Sequence, residues 1–200
     1  MPRVSAEHLT ARRQQILDAA RACFLRNGFH QTSMQDVIKE ANLSVGAVYR
    51  YFPSKNDLIT ALAEQVIDQI TAMFGELVSS DPPPSLAMAM QRATDFVTDQ
   101  TGPDGTMRMA LQIWSEAMYD PTLAAFVAQV YARIRTILDR FAERAIESGA
   151  LPAGTEPQTV AVVLFSLMPG YALQRILTGG PEPEVFKAGL RALLPAGTMA

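Results

Sequence analysis

The run Thr32-Ser33-Met34-Gln35-Asp36-Val37-Ile38-Lys39-Glu40-Ala41-Asn42-Leu43-Ser44-Val45-Gly46-Ala47-Val48-Tyr49-Arg50-Tyr51-Phe52 reads as two short helices and the turn between them. Thr32 followed three residues later by Gln35 has the spacing of a capping box, which predicts a helix from residue 33. Met34, Val37, Ile38 and Ala41 then fall at i, i+3, i+4 and i+7, one apolar stripe two turns long. Ala41-Asn42-Leu43 is a tight turn, because Asn42 tolerates the left-handed conformation. Ser44 caps a second helix from Val45 to Tyr51 or Phe52, which Pro53 interrupts. A longer helix comes before them. Its Ile16, Ala20, Cys23 and Phe24 share a face, and Asn27-Gly28 ends it. Two short helices joined by a three- or four-residue turn and braced by a longer one make a helix-turn-helix.

Helical spacing continues to the end of the chain. Leu58, Leu62, Val66, Ile70, Met73, Phe74 and Leu77 form a stripe some five turns long over 55–79, stopped by Asp81-Pro82-Pro83-Pro84. Further helical patterns cover 85–100, 105–119, 122–148, 157–178 and 183–194. The breaks between them carry Gly or Pro. No segment alternates apolar and polar residues between turn signals, so the class is all-α with about nine helices. The ends, 1–8 and 195–200, are expected to be loose.

The chain is 48% hydrophobic and 18% charged over 200 residues, which excludes a disordered protein. The net charge of −3 hides an asymmetry. Residues 1–55 hold eight basic and four acidic side chains, net +4, and residues 56–200 hold nine and sixteen, net −7. A basic head on an acidic body points to an anionic partner for the head. The lone Cys23 cannot form an internal disulfide, and the first residues lack the apolar core of a secretory signal, so a cytoplasmic protein is expected. The longest uncharged stretch, eighteen residues from Pro157 to Gln174, contains Pro169, Gly170 and two glutamines. It reads as a helix covered by protein rather than a membrane span, and no membrane partner is expected. Both histidines, His8 and His30, lie in the head, and no His/Cys cluster or phosphate-cradling Gly loop is present. No enzyme activity, metal or cofactor is therefore expected.

The second short helix divides into faces. Ala47, Val48, Tyr51 and Phe52 can point back to the other helices, while Val45 with Tyr49 and Gly46 with Arg50 form an outer face without acidic residues. A helix in the major groove of DNA needs such a surface, because its first residues meet base edges while hydroxyl and cationic groups meet phosphates. Arg50 can donate two hydrogen bonds to guanine, Val45 can touch a thymine methyl, and Gly46 lets the backbone approach. Thr32, Ser33 and Ser44 stand at helix starts, where a hydroxyl that caps can also face phosphate. Ser54-Lys55-Asn56-Asp57 caps the next helix, and Lys55 there is placed for a phosphate. The candidate DNA contacts are thus Thr32, Ser33, Ser44, Val45, Gly46, Tyr49, Arg50 and Lys55.

The stretch Gly28-Phe29-His30-Gln31-Thr32-Ser33-Met34 together with Ala41 to Lys55, ending in Tyr49-Arg50-Tyr51-Phe52-Pro53-Ser54-Lys55, closely resembles the DNA-binding domain of the TetR family of bacterial transcriptional regulators. The family usually has Gly where this chain has Asn42, and often His or Tyr where it has Arg50. Gln112-Ile113-Trp114-Ser115-Glu116-Ala117 and Pro169-Gly170-Tyr171-Ala172-Leu173-Gln174 look like stretches of its C-terminal domains. The resemblance implies a DNA-binding domain at 9–54 and a helical ligand-binding and dimerisation domain at 55–200. It implies a homodimer on a palindromic double-stranded operator, released by a small-molecule inducer that moves the linking helix at about 55–79, and hence a repressor.

The body is rich in Met and aromatic residues at helical spacing, a pattern more often core than pocket. With the family's pocket in view, Phe96, Met107, Trp114, Met118, Phe126 and Met168 are the candidate lining, and the sparse charge around Trp114 implies a mostly apolar inducer. The helix at 157–178 is apolar nearly all round, and a second subunit is the simplest cover. Val160, Leu164, Leu167 and Tyr171 are its candidate interface residues. A hydrophobe- or lipid-binding protein on the same architecture, without operator recognition, is the alternative. The basic head and the intact Tyr49-to-Phe52 ending weigh against it.

Overall fold

The computed structural model describes residues 6–81, 84–103 and 105–194. Among these the chain forms nine α-helices and no strand: α1 Ala6–Asn27, α2 Met34–Glu40, α3 Val45–Tyr51, α4 Lys55–Ser79, α5 Leu86–Gln100, α6 Met107–Ala117, α7 Pro121–Glu147, α8 Pro157–Thr178 and α9 Pro183–Leu193. Residues 6–8, expected to be loose, are the start of α1; 1–5 and 195–200 lie outside the described residues, as do Pro82 and Pro83.

Helix ends follow local chemistry. Gly28 leaves α1 at φ +83° and Asn42 takes φ +52° in the turn, the conformation its short polar side chain was expected to accept. Ser44, Ser54 and Ser85 each accept a backbone N–H three residues on, from Ala47, Asp57 and Met88. The start of α2 is displaced from the expected one. Ser33, not Thr32, is the N-cap, and Asp36, not Gln35, completes the capping box. Asp36 Oδ2 accepts from Ser33 N at 2.8 Å while Ser33 Oγ accepts from Asp36 N at 3.2 Å. The carboxylate is the better acceptor, and the depressed pKa of Asp36, caused by the Ser33 hydroxyl and amide, reflects this. α6 stops at Ala117 rather than at 119. Asp120 Oδ1 instead accepts from Thr122 N and Leu123 N, which caps α7 at Pro121.

The chain divides into two compact units: residues 1–66 with 108–124, and 67–107 with 125–200. These do not coincide with 9–54 and 55–200, because α6 and the first turn of α7 pack with the head, as does the first half of α4. In the first unit α1 buries Ile16, Leu17, Ala20, Cys23 and Phe24, α2 buries Val37, and α3 buries Val48. Gln15 reaches across to donate to the Ala41 carbonyl at the end of α2 (2.8 Å), and Arg26 pairs with Glu40 at 2.7 Å. Gln65 of α4 bonds both Gln14 and Arg21 of α1.

The core of the second unit joins Phe74 and Leu77 of α4, Leu86, Ala89, Met90 and Ala93 of α5, Leu138, Phe141 and Ala145 of α7, Ala161 and Leu164 of α8, and Leu190 of α9. Phe74 meets Phe141 edge-on at 6.0 Å. A smaller cluster forms around Val97, Tyr171 and Ala172, with Tyr171 stacked on Phe186 and its hydroxyl 2.8 Å from Thr98 Oγ1. Lys187 of α9 pairs with Asp95 of α5 and with Glu184. α8 is the one helix among the described residues long and apolar enough to cross a membrane. It nevertheless commits Ala161, Leu164, Tyr171 and Ala172 to this protein interior.

Candidate nucleic-acid interface

The outer face of α3 is arranged as its sequence predicts. Val48 and Phe52 are buried, and Ala47 and Tyr51 are half-buried. Val45 (60% exposed), Gly46, Tyr49 (43%) and Arg50 all face solvent. Arg50 makes no hydrogen bond or ion pair with any described residue, so its guanidinium is available to an external acceptor. A Cβ built on Gly46 would meet nothing within 4 Å, so the fold itself does not demand glycine there. Ser33 and Ser44 are exposed at the starts of α2 and α3, and their hydroxyls serve as caps.

Two candidates stand elsewhere. Thr32 is 1% exposed, and its hydroxyl lies 2.7 Å from the Gly28 carbonyl and 3.2 Å from that of Cys23. It closes the loop from inside, with its side chain withdrawn from solvent. Lys55 is turned inward as well. Its ammonium donates to the carbonyls of Phe29 (2.8 Å), Thr32 (3.0 Å) and His30 (3.4 Å), and lies 4.3 Å from the centre of the Phe29 ring. Burial lowers its pKa, and the nearby Glu116 carboxylate partly offsets this. At the start of α4 the Ser54 hydroxyl accepts from the Asp57 N–H and donates to the Asp57 carboxylate.

One set of contacts had no local signal in the sequence. Phe29, at the centre of the loop, donates its backbone N–H to Gln112 Oε1 of α6 at 2.8 Å, across 83 positions of chain. His30 Nδ1 lies 3.8 Å from Glu116 Oε2, one turn further along α6.

The candidate pocket residues do not form one group. Phe96, Met107 and Met168 pack together against the Val97–Tyr171–Ala172 cluster, with Phe186 as a fourth member that the sequence did not single out. Phe126 is half-buried on α7. Trp114 is half-buried on α6 in the first unit. Met118 lies beyond the end of α6 and is 71% exposed, so it lines nothing in this chain. The candidate interface residues also divide. Leu164 and Tyr171 are enclosed by their own chain, whereas Val160 and Leu167 are half-buried at the edge of the core. The outward apolar residues of α8 are Val162, Val163, Leu173 and Leu177, joined by Val185 and Leu193 of α9.

Comparison with known proteins agrees with this architecture. Residues 16–62 match the family described as "Bacterial regulatory proteins, tetR family", and residues 86–196 match "BetI-type transcriptional repressor, C-terminal". The HTH-type transcriptional repressor Rv1474c of Mycobacterium tuberculosis is 38% identical over 73 residues, which is 36% of this chain and 39% of that protein. That match therefore spans well under half of the relative's length. The HTH-type transcriptional regulator BetI of Burkholderia cenocepacia is 30% identical over 183 residues, 90% of this chain and 89% of that one. The solved structure of GusR from Salmonella enterica superposes with a TM-score of 0.79 at 25% identity, covering 96% of this chain and 99% of the other. The chain belongs to the TetR family of bacterial transcriptional regulators, with an N-terminal helix-turn-helix and a C-terminal helical domain.

Proposed function

We propose that this regulator is a cytoplasmic homodimeric repressor whose two α3 helices read a palindromic operator, and that a small, mostly apolar inducer releases it. The observation that carries the reading is the outer face of α3, where Val45, Gly46, Tyr49 and an unpartnered Arg50 are exposed together. On this reading Arg50 and Val45 meet base edges, while Tyr49, Ser33 and Ser44 meet the phosphate backbone. Residues 9–54 supply the reading head and 55–200 the regulation. The second subunit covers the outward stripes of α8 and α9, which explains an apolar helix with Val163 and Leu177 in solvent without invoking a membrane. The Phe96–Met107–Met168–Phe186 group around Tyr171 supports an apolar inducer site within the body.

Selection of bound fragments from random or genomic DNA tests this directly. It should return a pseudo-palindrome with half-sites about one helical turn apart. Arg50→Ala should cost about 1–3 kcal/mol and relax preference at one base position. Equal losses on every sequence would reduce Arg50 to a phosphate contact, and no sequence-preferring binding at all would remove the operator reading.

A further inference from the structure

We propose that Lys55 serves operator binding as a positioning residue: its ammonium gathers the Phe29, His30 and Thr32 carbonyls and so fixes the loop from which α2 and α3 hang, instead of neutralising a DNA phosphate. The proposal rests on the operator reading above and specifies how one of its residues acts.

The geometry is that of a filled donor set. An ammonium has three N–H donors, and three carbonyl oxygens stand within 3.4 Å of Nζ. The Phe29 ring closes the remaining side at 4.3 Å. Meeting a phosphate would require breaking these bonds and leaving three carbonyls to find other partners. Phe29 is held at its other end too, because Gln112 Oε1 accepts its N–H. Its ring is buried against Phe24, with centroids 5.6 Å apart. Gly28, at φ +83°, turns the chain out of α1 into this loop, and Ser33 at its far end is the cap from which α2 starts. α3 follows α2 after a four-residue connection, Ala41 to Ser44. The grip on Phe29 therefore sets the direction in which the outer face of α3 points relative to α1 and α4.

A charge-preserving substitution separates the two roles. An arginine keeps the positive charge and binds phosphate well, but its flat fork of donors cannot converge on three carbonyls as a compact ammonium does. Operator affinity should be measured per active dimer, with the active fraction fixed by stoichiometric titration, for the full chain and its Lys55→Arg and Lys55→Met variants over a salt series. Both variants should lose about tenfold or more, the scale of a broken charged hydrogen-bond set, with the salt slope of the wild type retained. A loss of folded protein alone would lower the active fraction and leave affinity per active dimer unchanged. Gln112→Leu, which frees the same Phe29 amide without altering charge, should also weaken operator binding at constant salt slope. The proposal is overturned if Lys55→Arg binds as the wild type does. It is equally overturned if Lys55→Met flattens the slope by about 0.9 per subunit, as one lost phosphate contact demands. Unchanged affinity per active dimer in Gln112→Leu would also overturn it. Failure of the wild type to prefer any sequence is a separate result and removes the operator reading itself.

Discussion

Val163 and Leu164 are adjacent on α8, yet Val163 is 59% exposed and Leu164 only 2%. The two side chains stand about a quarter-turn apart on a helix that is apolar nearly all round, one outward and one in the core, so they separate assembly from folding. Val163→Glu places a carboxylate on the outward stripe and should give soluble monomers of about 22 kDa by light scattering, with helical content intact. Leu164→Glu buries an uncompensated charge among Met90, Phe141 and Ala161 and should cost about 3–5 kcal/mol of stability, giving insoluble or unfolded chain. A Val163→Glu protein that remains a dimer would exclude this face of α8 from the interface.

Gly46 offers a test in which stability and function move in opposite directions. It stands in the first turn of α3 with open space where a Cβ would lie. Alanine there should stabilise the head by roughly 0.5–1 kcal/mol, visible as a raised melting temperature. The same methyl group would stand between the helix backbone and the groove floor, so operator affinity should fall. If affinity is unchanged, α3 does not approach DNA along its first turn.

The capping box at α2 predicts a pH dependence. Hydrogen bonds from the Ser33 hydroxyl and amide hold the Asp36 carboxyl below its ordinary value of 3.8. A group with a depressed folded pKa adds stability that is present above the unfolded value and is lost as pH falls through the folded one. Melting temperature should therefore drop as pH falls below the ordinary carboxyl value of 3.8, and Asp36→Asn should flatten that part of the profile. An unchanged slope in the Asn variant would show that other carboxylates carry the acid sensitivity.

What the sequence disclosed and what it hid divide by range. The existence of α3, its Ser44 cap, the left-handed Asn42 and the outward set Val45, Gly46, Tyr49 and Arg50 follow from spacings of seven residues or fewer, and local chemistry is enough to read them. Lys55 was legible as a cation at a helix start, but the carbonyls that claim it come from a loop 23 to 26 positions earlier. Gln112 opens a family-like stretch, but nothing local points to its partner Phe29, 83 residues away. On α8 the difficulty is different. With apolar residues on every side, no moment distinguishes the face toward the core from the face toward a partner, and only packing against α5 and α7 shows that Leu164 points in and Val163 out.

The inducer is best sought through Trp114, the only tryptophan, which lies half-buried on α6 two residues past Gln112. Because Gln112 holds the Phe29 amide, Trp114 emission reports on a helix that also touches the reading head's entry loop. An inducer must bind the DNA-incompetent state more tightly than the competent one, or it shifts nothing. A true ligand should therefore change Trp114 emission and lower operator affinity together, and a tenfold drop corresponds to about 1.4 kcal/mol of coupling. Apolar amphiphiles are the compounds to screen, since the Phe96, Met107, Met168 and Phe186 group offers dispersion contacts. Phe96→Ala should then weaken the effective ligand by about 1.5–3 kcal/mol, the worth of one covered aromatic side chain. A compound that alters fluorescence without touching operator affinity only fills a cavity. If a broad panel changes neither, the apolar inducer should be abandoned in favour of a repressor controlled by its own abundance.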